Sequence, residues 1–350
     1  MKPTKVSGYK VYWKRSGKND FLKFKTYVMP TPKSWTGYSP GFLEDFVIPV
    51  PKLGKWEDDL VINNDTGAAE LPFIHFSSFQ SASRRLPVVT ASNIFRDKWV
   101  PAGREGEFKK DSRLKDADGQ FTPQIYKGIN KLQKKSERKM AKGHMVRRED
   151  VQWDINKAEA KAIAAAIATF HFTNACPQHQ ALNNVLWKEL ENSILKRGRT
   201  REPRKAIVFT GPILNERDPF LVIHDVEDVK IRCPLRFWKI VYFVDPDNEL
   251  RRAAFLMSHK AEVEEDGYVV SVTKFEAVQE KPFLEFDEKE KYQVHTSLIE
   301  KLTGLAFTKA TEAIAEGQHS RLTVKPPAKS GTRGFESLAT NEVIIEGLLL

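Results

Sequence analysis

Short runs of alternating apolar and polar residues fill the first third of the chain and predict strands. Residues 9–15 (YKVYWKR) and 21–29 (FLKFKTYVM) are two such runs, and the Pro- and Gly-containing residues 30–41 after them predict turns. Residues 73–80 (FIHFSSFQ) and 85–95 (RLPVVTASNIF) predict two further strands joined by a polar turn. The pattern therefore places a β-rich region before the first helix.

Two segments in the middle of the chain have the composition or spacing of helices. Residues 157–168 (KAEAKAIAAAIA) are rich in alanine, the strongest helix former. Residues 180–197 place leucine or isoleucine at every fourth position from 182 to 194, which is the spacing of one helix face. Between them, residues 170–174 (FHFTN) predict a short strand and residues 174–178 (NACPQ) predict a polar turn into the second helix.

The last part of the chain returns to strands. Apolar runs of strand length occupy residues 205–214, 237–244 and 251–258, and a late helix is predicted at residues 296–307. Strands and helices do not alternate as they do in βαβ units, and this favours an α+β fold over a doubly wound sheet.

We expect three parts along the chain. Residues 1–70 form a small N-terminal extension, either a regulatory or an oligomerisation element, because they are rich in Pro, Gly, Lys and aromatic residues. Residues 71–320 form the main domain, and residues 321–350 form a C-terminal tail. A hydrophobic content of 41% is enough for a sizeable core and argues against disorder.

The charge balance favours a polyanionic partner. The 350 residues carry a formal net charge of +10, and residues 127–148 are strongly basic. Lys and Arg that neutralise phosphates release condensed counterions, so DNA and RNA are the expected partners, with a merely solvated basic surface as the alternative. No run approaches the roughly 20 apolar residues of a membrane helix, and no apolar leader is visible. Cys176 and Cys233 make no disulfide framework, so we expect a reduced, cytoplasmic chain without membrane partners, and leave leaderless export open.

One histidine lies in a setting that suits acid–base chemistry. His144 follows Gly143 at the end of the basic stretch, near Lys142, Arg147 and Arg148. Nearby cations lower the pKa of a histidine, and a neutral imidazole can take a proton from water. His144 is therefore a candidate general base, with Lys142 stabilising charge on the phosphate, and an ordinary surface histidine is the alternative.

The second predicted helix offers candidate metal ligands. Asn183, Trp187 and Glu191 stand at i, i+4 and i+8 and share one face. An oxygen ligand from Asn183, with Glu191 acting through a metal-bound water, suits Mg²⁺, which keeps several waters. Asn174 and Gln178 either cap the preceding turn or contact phosphate or metal-bound water. An amphipathic helix with a polar edge would explain the same pattern.

The order of these segments resembles the DNA/RNA non-specific endonucleases, the family of the Serratia nuclease and mitochondrial endonuclease G. That family has the pattern D-R-G-H, then N-x-x-P-Q, then L-N-x-x-x-W-x-x-L-E. The last two parts match here at every specified position: Asn174, Pro177, Gln178, Leu182, Asn183, Trp187, Leu190 and Glu191. The resemblance extends over roughly residues 71–320.

The resemblance implies a ββα-metal, or His-Me finger, fold with a central, mainly antiparallel sheet flanked by helices. It implies metal-dependent hydrolysis of DNA and RNA with little sequence preference and 5′-phosphate products, with Mg²⁺ as the ion and Mn²⁺ as the alternative. His144 would activate the attacking water, Asn183 would bind the ion directly, and Glu191 would orient its water shell. Asn174 and Gln178 would support the metal and the phosphate. Arg147 and Arg148, from the basic stretch beside His144, are candidate substrate contacts.

The sequence departs from the family pattern before Gly143. Ala141 and Lys142 replace the family's Asp-Arg, so the charge is kept while the bidentate guanidinium is lost. For the family's upstream arginine, Arg104 is the candidate, with Arg96 and Arg113 competing. This departure leaves open a nucleic-acid-binding protein with a degraded nuclease site. The toxicity of an uncontrolled nuclease suggests a toxin or defence effector restrained by an inhibitor, a regulatory partner or homo-oligomer assembly.

Overall fold

The computed structural model describes ten stretches of the chain: residues 8–11, 25–28, 35–101, 106–115, 119–183, 204–226, 229–270, 286, 290–325 and 344–349. The strands in these stretches are β1 Gly8–Val11, β2 Lys25–Val28, β3 Glu70–Pro72, β4 Phe76–Gln80, β5 Pro87–Phe95, β6 Met140–His144, β7 Ala175–His179, β8 Lys205–Ile213, β9 Arg236–Val244, β10 Leu250–Ser258, β11 Lys291–Val294, β12 Thr311–Glu312, β13 His319–Arg321, β14 Thr323–Lys325 and β15 Ile344–Glu346. The α-helices are α1 Pro123–Ile129, α2 Glu159–Ala168, α3 Gln180–Asn183, α4 Lys260–Glu265 and α5 Thr296–Thr303.

A single large sheet organises the described residues. Its strands run in the order β13-β11-β10-β9-β8-β5-β4-β3, and β12 adds to β10. Every pairing in it is antiparallel except that of β12 with β10. The long central strands are buried along most of their length because both faces of the sheet are covered.

One face of this sheet is covered by residues from both ends of the domain. Tyr38 packs edge-on against Phe209, and Phe307 contacts both Phe209 and Trp238. The hydroxyl of Tyr242 on the same face donates to the carbonyl of Thr308 at 2.5 Å. Phe209 is opposite Ile240 in the register, so these side chains share a face by the two-residue alternation of strands.

The opposite face is more polar and carries a separate hairpin. Ser78, Thr90, Thr210 and Lys239 follow one another across β4, β5, β8 and β9 in register. The hydroxyl of Ser78 donates to the carbonyl of Thr173 at 2.6 Å. Thr173 immediately precedes the segment that enters β7, so this contact places the β6–β7 hairpin on the polar face of the sheet.

The helix ends follow local sequence signals. Thr122 accepts a hydrogen bond from the amide of Ile125 and is followed by Pro123 at the first position of α1. Gly304 ends α5 in the left-handed conformation, with φ of 75°, which a residue without Cβ adopts easily. From Ala162 onward the alanines of α2 are buried, and their small side chains let this helix pack closely.

The fold class and most elements are confirmed by the structure. The fold is α+β with a mainly antiparallel central sheet, and in the described residues strands or helices occur where the hydrophobic pattern predicts them. Residues 184–197 of the second predicted helix lie outside the described residues. The turn predicted at residues 174–178 is wrong: Ala175–His179 is a strand paired with β6. Pro177 is tolerated there because each strand of a two-stranded sheet is an edge strand. Residues 172–174, predicted as a strand, form a 3₁₀ turn.

The proposed extension and tail remain predictions as separate units. Within the extension, the described residues from Trp35 onward contribute to the core, and the amide of Lys52 pairs with the carbonyl of Ala306 at 3.0 Å. Within the tail, Leu349 exchanges two hydrogen bonds with the side chain of Gln293. None of the described helices is both long and apolar enough to cross a membrane.

Candidate active site

The β6–β7 hairpin and α3 together form a ββα unit. His144, the last residue of β6, lies opposite Ala175, and Gly143 lies opposite Cys176. Helix α3 begins directly after β7 and includes Asn183. The candidate base and the candidate metal ligand are therefore on the first strand and on the helix of one compact unit.

Gly143 is required by the packing of this hairpin. A Cβ atom on Gly143 would lie 2.0 Å from Oε1 of Gln178 and 2.3 Å from its Cδ, which is closer than atoms can approach. The side chain of Gln178 is buried, and neither of its amide atoms has a hydrogen-bond partner among the described residues. A glycine before the histidine thus makes room for a buried amide inside the ββα unit.

Aromatic side chains surround His144. Its ring centroid lies 4.7 Å from that of Phe108 and 4.8 Å from that of Phe170. The Nε2 atom is shielded from solvent and has no hydrogen-bond partner among the described residues. Burial lowers the pKa of His144 to about 4, with smaller opposing effects from Glu149, which raises it, and Arg148, which lowers it. The ring is therefore neutral at pH 7, as the sequence predicts, although burial outweighs the neighbouring cations as the cause.

Lys142 lies among three aromatic rings. Its Nζ atom is 5.6 Å from the ring centroid of Phe108, 5.7 Å from that of Phe172 and 5.8 Å from that of Tyr126. Ammonium groups within about 6 Å of a ring face are attracted by its quadrupole. Lys142 is two residues before His144 on β6, so the two side chains leave the same side of the strand.

The two arginines after His144 pair with acidic neighbours. Arg147 lies within hydrogen-bond distance of Asp150, with NH2 2.8 Å from Oδ1. Arg148 donates to Oε1 of Glu149 at 2.8 Å. Burial alone would raise the pKa of Glu149, but the hydrogen bond and charge of Arg148 hold it below its usual value. The substrate contacts predicted for these arginines remain predictions.

The side chain of Asn174, just before β7, bonds to the backbone of Val146, just after β6. Its side-chain oxygen accepts from the amide of Val146 at 2.9 Å, and its nitrogen donates to the carbonyls of Val146 and Thr169, each at 3.0 Å. The side chain is fully buried. These contacts give Asn174 a structural part in supporting the turn after His144.

The upstream arginine remains a prediction. Arg104 lies outside the described residues, as do Trp187 and Glu191, and of Asn183 only the backbone is described. The competitor Arg113 is buried in an ion pair with Asp111. Its guanidinium also lies 4.4 Å from the ring of Phe73, so it is committed to the core. The other competitor, Arg96, lies over Trp99 at 5.5 Å.

Several residues at the site have no signal in the sequence pattern. The sequence pattern gives no function to Phe170 or Tyr126. His179 and its partner His259 are 80 positions apart, and their side chains meet the start of α3. None of these residues stands in a sequence motif. The packing of segments that are distant in the sequence brings them to the ββα unit.

The donor chemistry of the described residues fits a hydrated divalent ion. Within the described stretches, no group of three or more His, Cys, Asp or Glu is placed to hold a metal. The side chain of Asn183 would offer an ion an amide oxygen, and Mg²⁺ usually keeps several waters beside its few protein ligands. The unpartnered buried amide of Gln178, on the strand directly before the helix that carries Asn183, suits such an ion.

A neutral histidine at the end of one strand, with a helix bearing an asparagine directly after the strand paired with it, is the arrangement expected for the ββα-metal class of nucleases. Residues 61–313 match the family described as DNA/RNA non-specific endonuclease, and this chain belongs to that family of divalent-metal-dependent hydrolases.

Two individual proteins are similar to this chain. It is 29% identical over 244 residues to the uncharacterized protein y4fB of Sinorhizobium fredii (strain NBRC 101917 / NGR234), a match that covers 65% of this chain. The chain spans about a third of the length of that relative, 34%. A crystal structure of the EndoG/EndoGI complex, described as showing the mechanism of EndoG inhibition, is similar at 17% identity with a TM-score of 0.46. The similarity covers 70% of this chain and 89% of that one.

Proposed function

We propose that this chain hydrolyses phosphodiester bonds of DNA and RNA with little sequence preference, in a reaction that requires a divalent ion. The observation that carries the proposal is His144: a neutral imidazole with an unpartnered Nε2, held on the first strand of a ββα unit. Membership of the nuclease family supports the reaction class, and the net charge of +10 supports the substrate class.

His144 acts as the general base in this reaction. Nε2, which is shielded from bulk solvent in the free protein, takes a proton from a water that enters the site with the nucleic acid. The water oxygen forms a bond to phosphorus, and the bond from phosphorus to the 3′ oxygen breaks. The leaving oxygen is protonated from solvent, and His144 returns its proton to solvent before the next turnover. The products carry a 5′-phosphate and a 3′-hydroxyl. A general base contributes a factor of about 10²–10⁴ to such a reaction.

A bound Mg²⁺, or Mn²⁺ in its place, supplies positive charge that neutralises the scissile phosphate and stabilises the leaving oxygen. Asn183 is the residue proposed to hold the ion directly, with Glu191 acting through water. These two assignments rest on the match to the family motif. The buried amide of Gln178, which lies against Gly143 of β6, is proposed to hold the water shell in place.

Lys142 supplies a second positive charge near the phosphate. The three rings around its Nζ restrict where the ammonium can move, so the charge is positioned before substrate arrives. Arg104 is proposed as the further phosphate contact. Arg147 and Arg148, held by their acidic neighbours, are proposed as further substrate contacts.

The basic segment before β6 is proposed as the path of the nucleic acid. Lys127, Lys134, Lys135 and Lys139 are exposed on the surface that leads to β6. Lysines of this kind contact phosphates, which are the same at every position, so binding through them reads no sequence. This accounts for cleavage of both DNA and RNA by one site.

We also propose that residues before 71 restrain the enzyme through a partner, an inhibitor or a second copy. Among the described residues, Tyr38 packs on the sheet face opposite the β6–β7 pair, and Trp35 packs edge-on against His171. A variant lacking residues 1–34, which leaves that packing in place, can be compared with the full chain for activity and for mass by light scattering. Equal activity and equal mass would argue against this restraint.

The decisive experiment measures cleavage of plasmid DNA and of a structured RNA with Mg²⁺, with Mn²⁺ and with EDTA. We expect cleavage of both with either ion and none with EDTA. His144→Ala should reduce the rate at least a hundredfold and leave DNA affinity, measured by fluorescence anisotropy, nearly unchanged. DNA binding without metal-dependent cleavage in the wild-type chain would support a degraded site instead.

A further inference from the structure

A chain of hydrogen bonds through two buried histidines fixes the beginning of α3. His259 lies directly after β10, and its ring is completely buried. Its Nδ1 accepts from the backbone amide of His179 at 3.0 Å, and its Nε2 lies 2.8 Å from the carbonyl of Pro234. Because a backbone amide can only donate, Nδ1 carries no proton and Nε2 carries one. The ring of His259 is thus held in one tautomer between the main sheet and the end of β7.

The ring of His179 continues the chain into the helix. Its Nδ1 accepts from the backbone amide of Ala181 at 3.2 Å, so its Nε2 donates to Oδ2 of Asp266 at 2.9 Å. Asp266 also forms an ion pair with Arg138 at 3.0 Å, just before β6. The side chain of His179 is only 4% exposed, so it is not available for contact with a substrate.

Three consecutive amides at the β7–α3 junction therefore have defined acceptors. The amide of His179 donates to His259, that of Gln180 donates to the carbonyl of Lys139 at 2.9 Å, and that of Ala181 donates to His179. Amides in the first turn of a helix have no acceptor within the helix, and capping groups set its position. Asn183 follows Ala181 by two residues, or about 3 Å of helix rise.

We infer that His179 and His259 are positioning residues for Asn183, and that they hold the metal-bearing helix at a fixed distance and angle from His144. This inference rests on the proposed metal site. One path of contacts runs from Pro234, just before β9, through His259 and His179 into α3. A second path runs from Arg138, just before β6, through Asp266 to the ring of His179. Strand β6 carries His144 and helix α3 carries Asn183. The positions of both elements thus depend on contacts with the buried ring of His179.

Substitutions at position 179 test the two hydrogen bonds of the His179 imidazole, to Ala181 and to Asp266, one at a time. Asparagine places an acceptor near the position of Nδ1 and is a strong capping residue, so His179→Asn keeps the bond to Ala181. Glutamine reaches the position of Nε2, so His179→Gln keeps the bond to Asp266 and loses the cap. His179→Leu fills the space and loses both bonds. Phe307→Leu is the control, because Phe307 packs on the opposite face of the sheet and its loss lowers stability without touching α3.

The test measures Mn²⁺ binding by electron paramagnetic resonance without nucleic acid, together with the melting temperature of each variant. We expect His179→Leu and His259→Leu to weaken Mn²⁺ binding about tenfold, as loss of groups that orient metal ligands does. His179→Asn should stay within about threefold of wild type, and Phe307→Leu should bind as wild type does despite a lower melting temperature.

Several outcomes would overturn the inference. Wild-type affinity in a folded His179→Leu variant is one, and a loss of affinity in Phe307→Leu as large as in His179→Leu is another. If His179→Leu does not fold, the pair His179→Asn and His179→Gln decides, since equal affinities in that pair would exclude a role for the cap. Absence of saturable Mn²⁺ binding in the wild-type chain would instead remove the metal site itself and, with it, the proposed function.

Discussion

The imidazole of His144 lies 4.7 Å from the ring of Phe108, centroid to centroid, with 53° between the ring planes. Phe108 comes from a segment that runs beside residues 170–172, where the amide of Lys109 donates to the carbonyl of Phe170. A residue 36 positions before the histidine thus shields it from water. The low pKa of His144, about 4, is mainly a consequence of this enclosure.

Opening the enclosure should move the acid limb of the pH–rate profile. In Phe108→Ala, water reaches the ring of His144, the cost of protonating it falls, and its pKa rises from about 4 toward its ordinary value of 6.5. The base is active when neutral, so activity should begin to fall at a higher pH in the variant as the solution is acidified. The profile of kcat/KM between pH 4 and 8 measures this shift.

The matched control keeps a ring at position 108. Phe108→Tyr leaves the shielding in place, so its acid limb should stay where the wild-type limb is. If Phe108→Ala lowers the rate equally at every pH and the limb does not move, Phe108 serves packing and does not set the pKa of His144.

The charge of Lys142 should matter more than its bulk. Lys142→Met keeps an unbranched apolar chain among Phe108, Tyr126 and Phe172 and removes the ammonium. We expect a loss of tenfold or more in kcat/KM, of the size that a transition-state charge contact supplies, with little change in melting temperature. Lys142→Arg should retain activity, since arginine is the family residue at this position. Equal rates for Lys142→Met and the wild type would remove Lys142 from the mechanism.

The sequence was sufficient for the sheet and for the location of the ββα unit. The long strands from Pro87, Lys205, Arg236 and Leu250 are continuous apolar runs, and burial on both faces explains why such runs are strands. The motif of Gly143 and His144 with Asn174 to Asn183 located the candidate site, because a local unit keeps its spacing in the sequence.

The sequence was insufficient where distant segments meet. A proline at 177 and polar neighbours predict a turn, but the pairing of Ala175–His179 with β6 overrides that local preference. His259 shows no motif, since its role comes from a contact with a residue 80 positions earlier. Arg113 looks like a free arginine in the sequence, and only its buried pairing with Asp111 shows that it belongs to the core.

Stability should fall in acid because the folded chain lowers the pKa of several histidines, and His75, which is partly buried, is the one chosen for a test. Burial lowers the pKa of His75 to about 4, and the charge of Lys161 acts in the same direction. Between about pH 6.5 and pH 4 the unfolded chain binds a proton at this position that the folded chain does not. The stabilisation is therefore complete above pH 6.5 and is lost as the pH falls toward 4.

His75→Asn removes the titrating group and suits the positive φ of 70° at this position, which asparagine tolerates. Urea unfolding at several pH values should show a slope between pH 4 and 6.5 that is shallower than wild type by up to about 1.4 kcal/mol per pH unit. An unchanged slope would mean that His75 titrates alike in the folded and unfolded chains.

Gly143 and Gln178 should behave as a coupled pair. A Cβ at position 143 would overlap the amide of Gln178 at 2.0 Å, so Gly143→Ala must displace that side chain or spread β6 from β7. We expect a loss of about 1–3 kcal/mol in the free energy of unfolding, as for overpacking elsewhere, together with a loss of cleavage because His144 is the next residue. Shortening the partner in Gly143→Ala/Gln178→Ala should recover part of the stability, which a double-mutant cycle by urea unfolding measures. If the two substitutions change the free energy of unfolding additively, the overlap is relieved by other residues. In that case Gly143 is needed for the backbone conformation of β6 and not for the packing of Gln178.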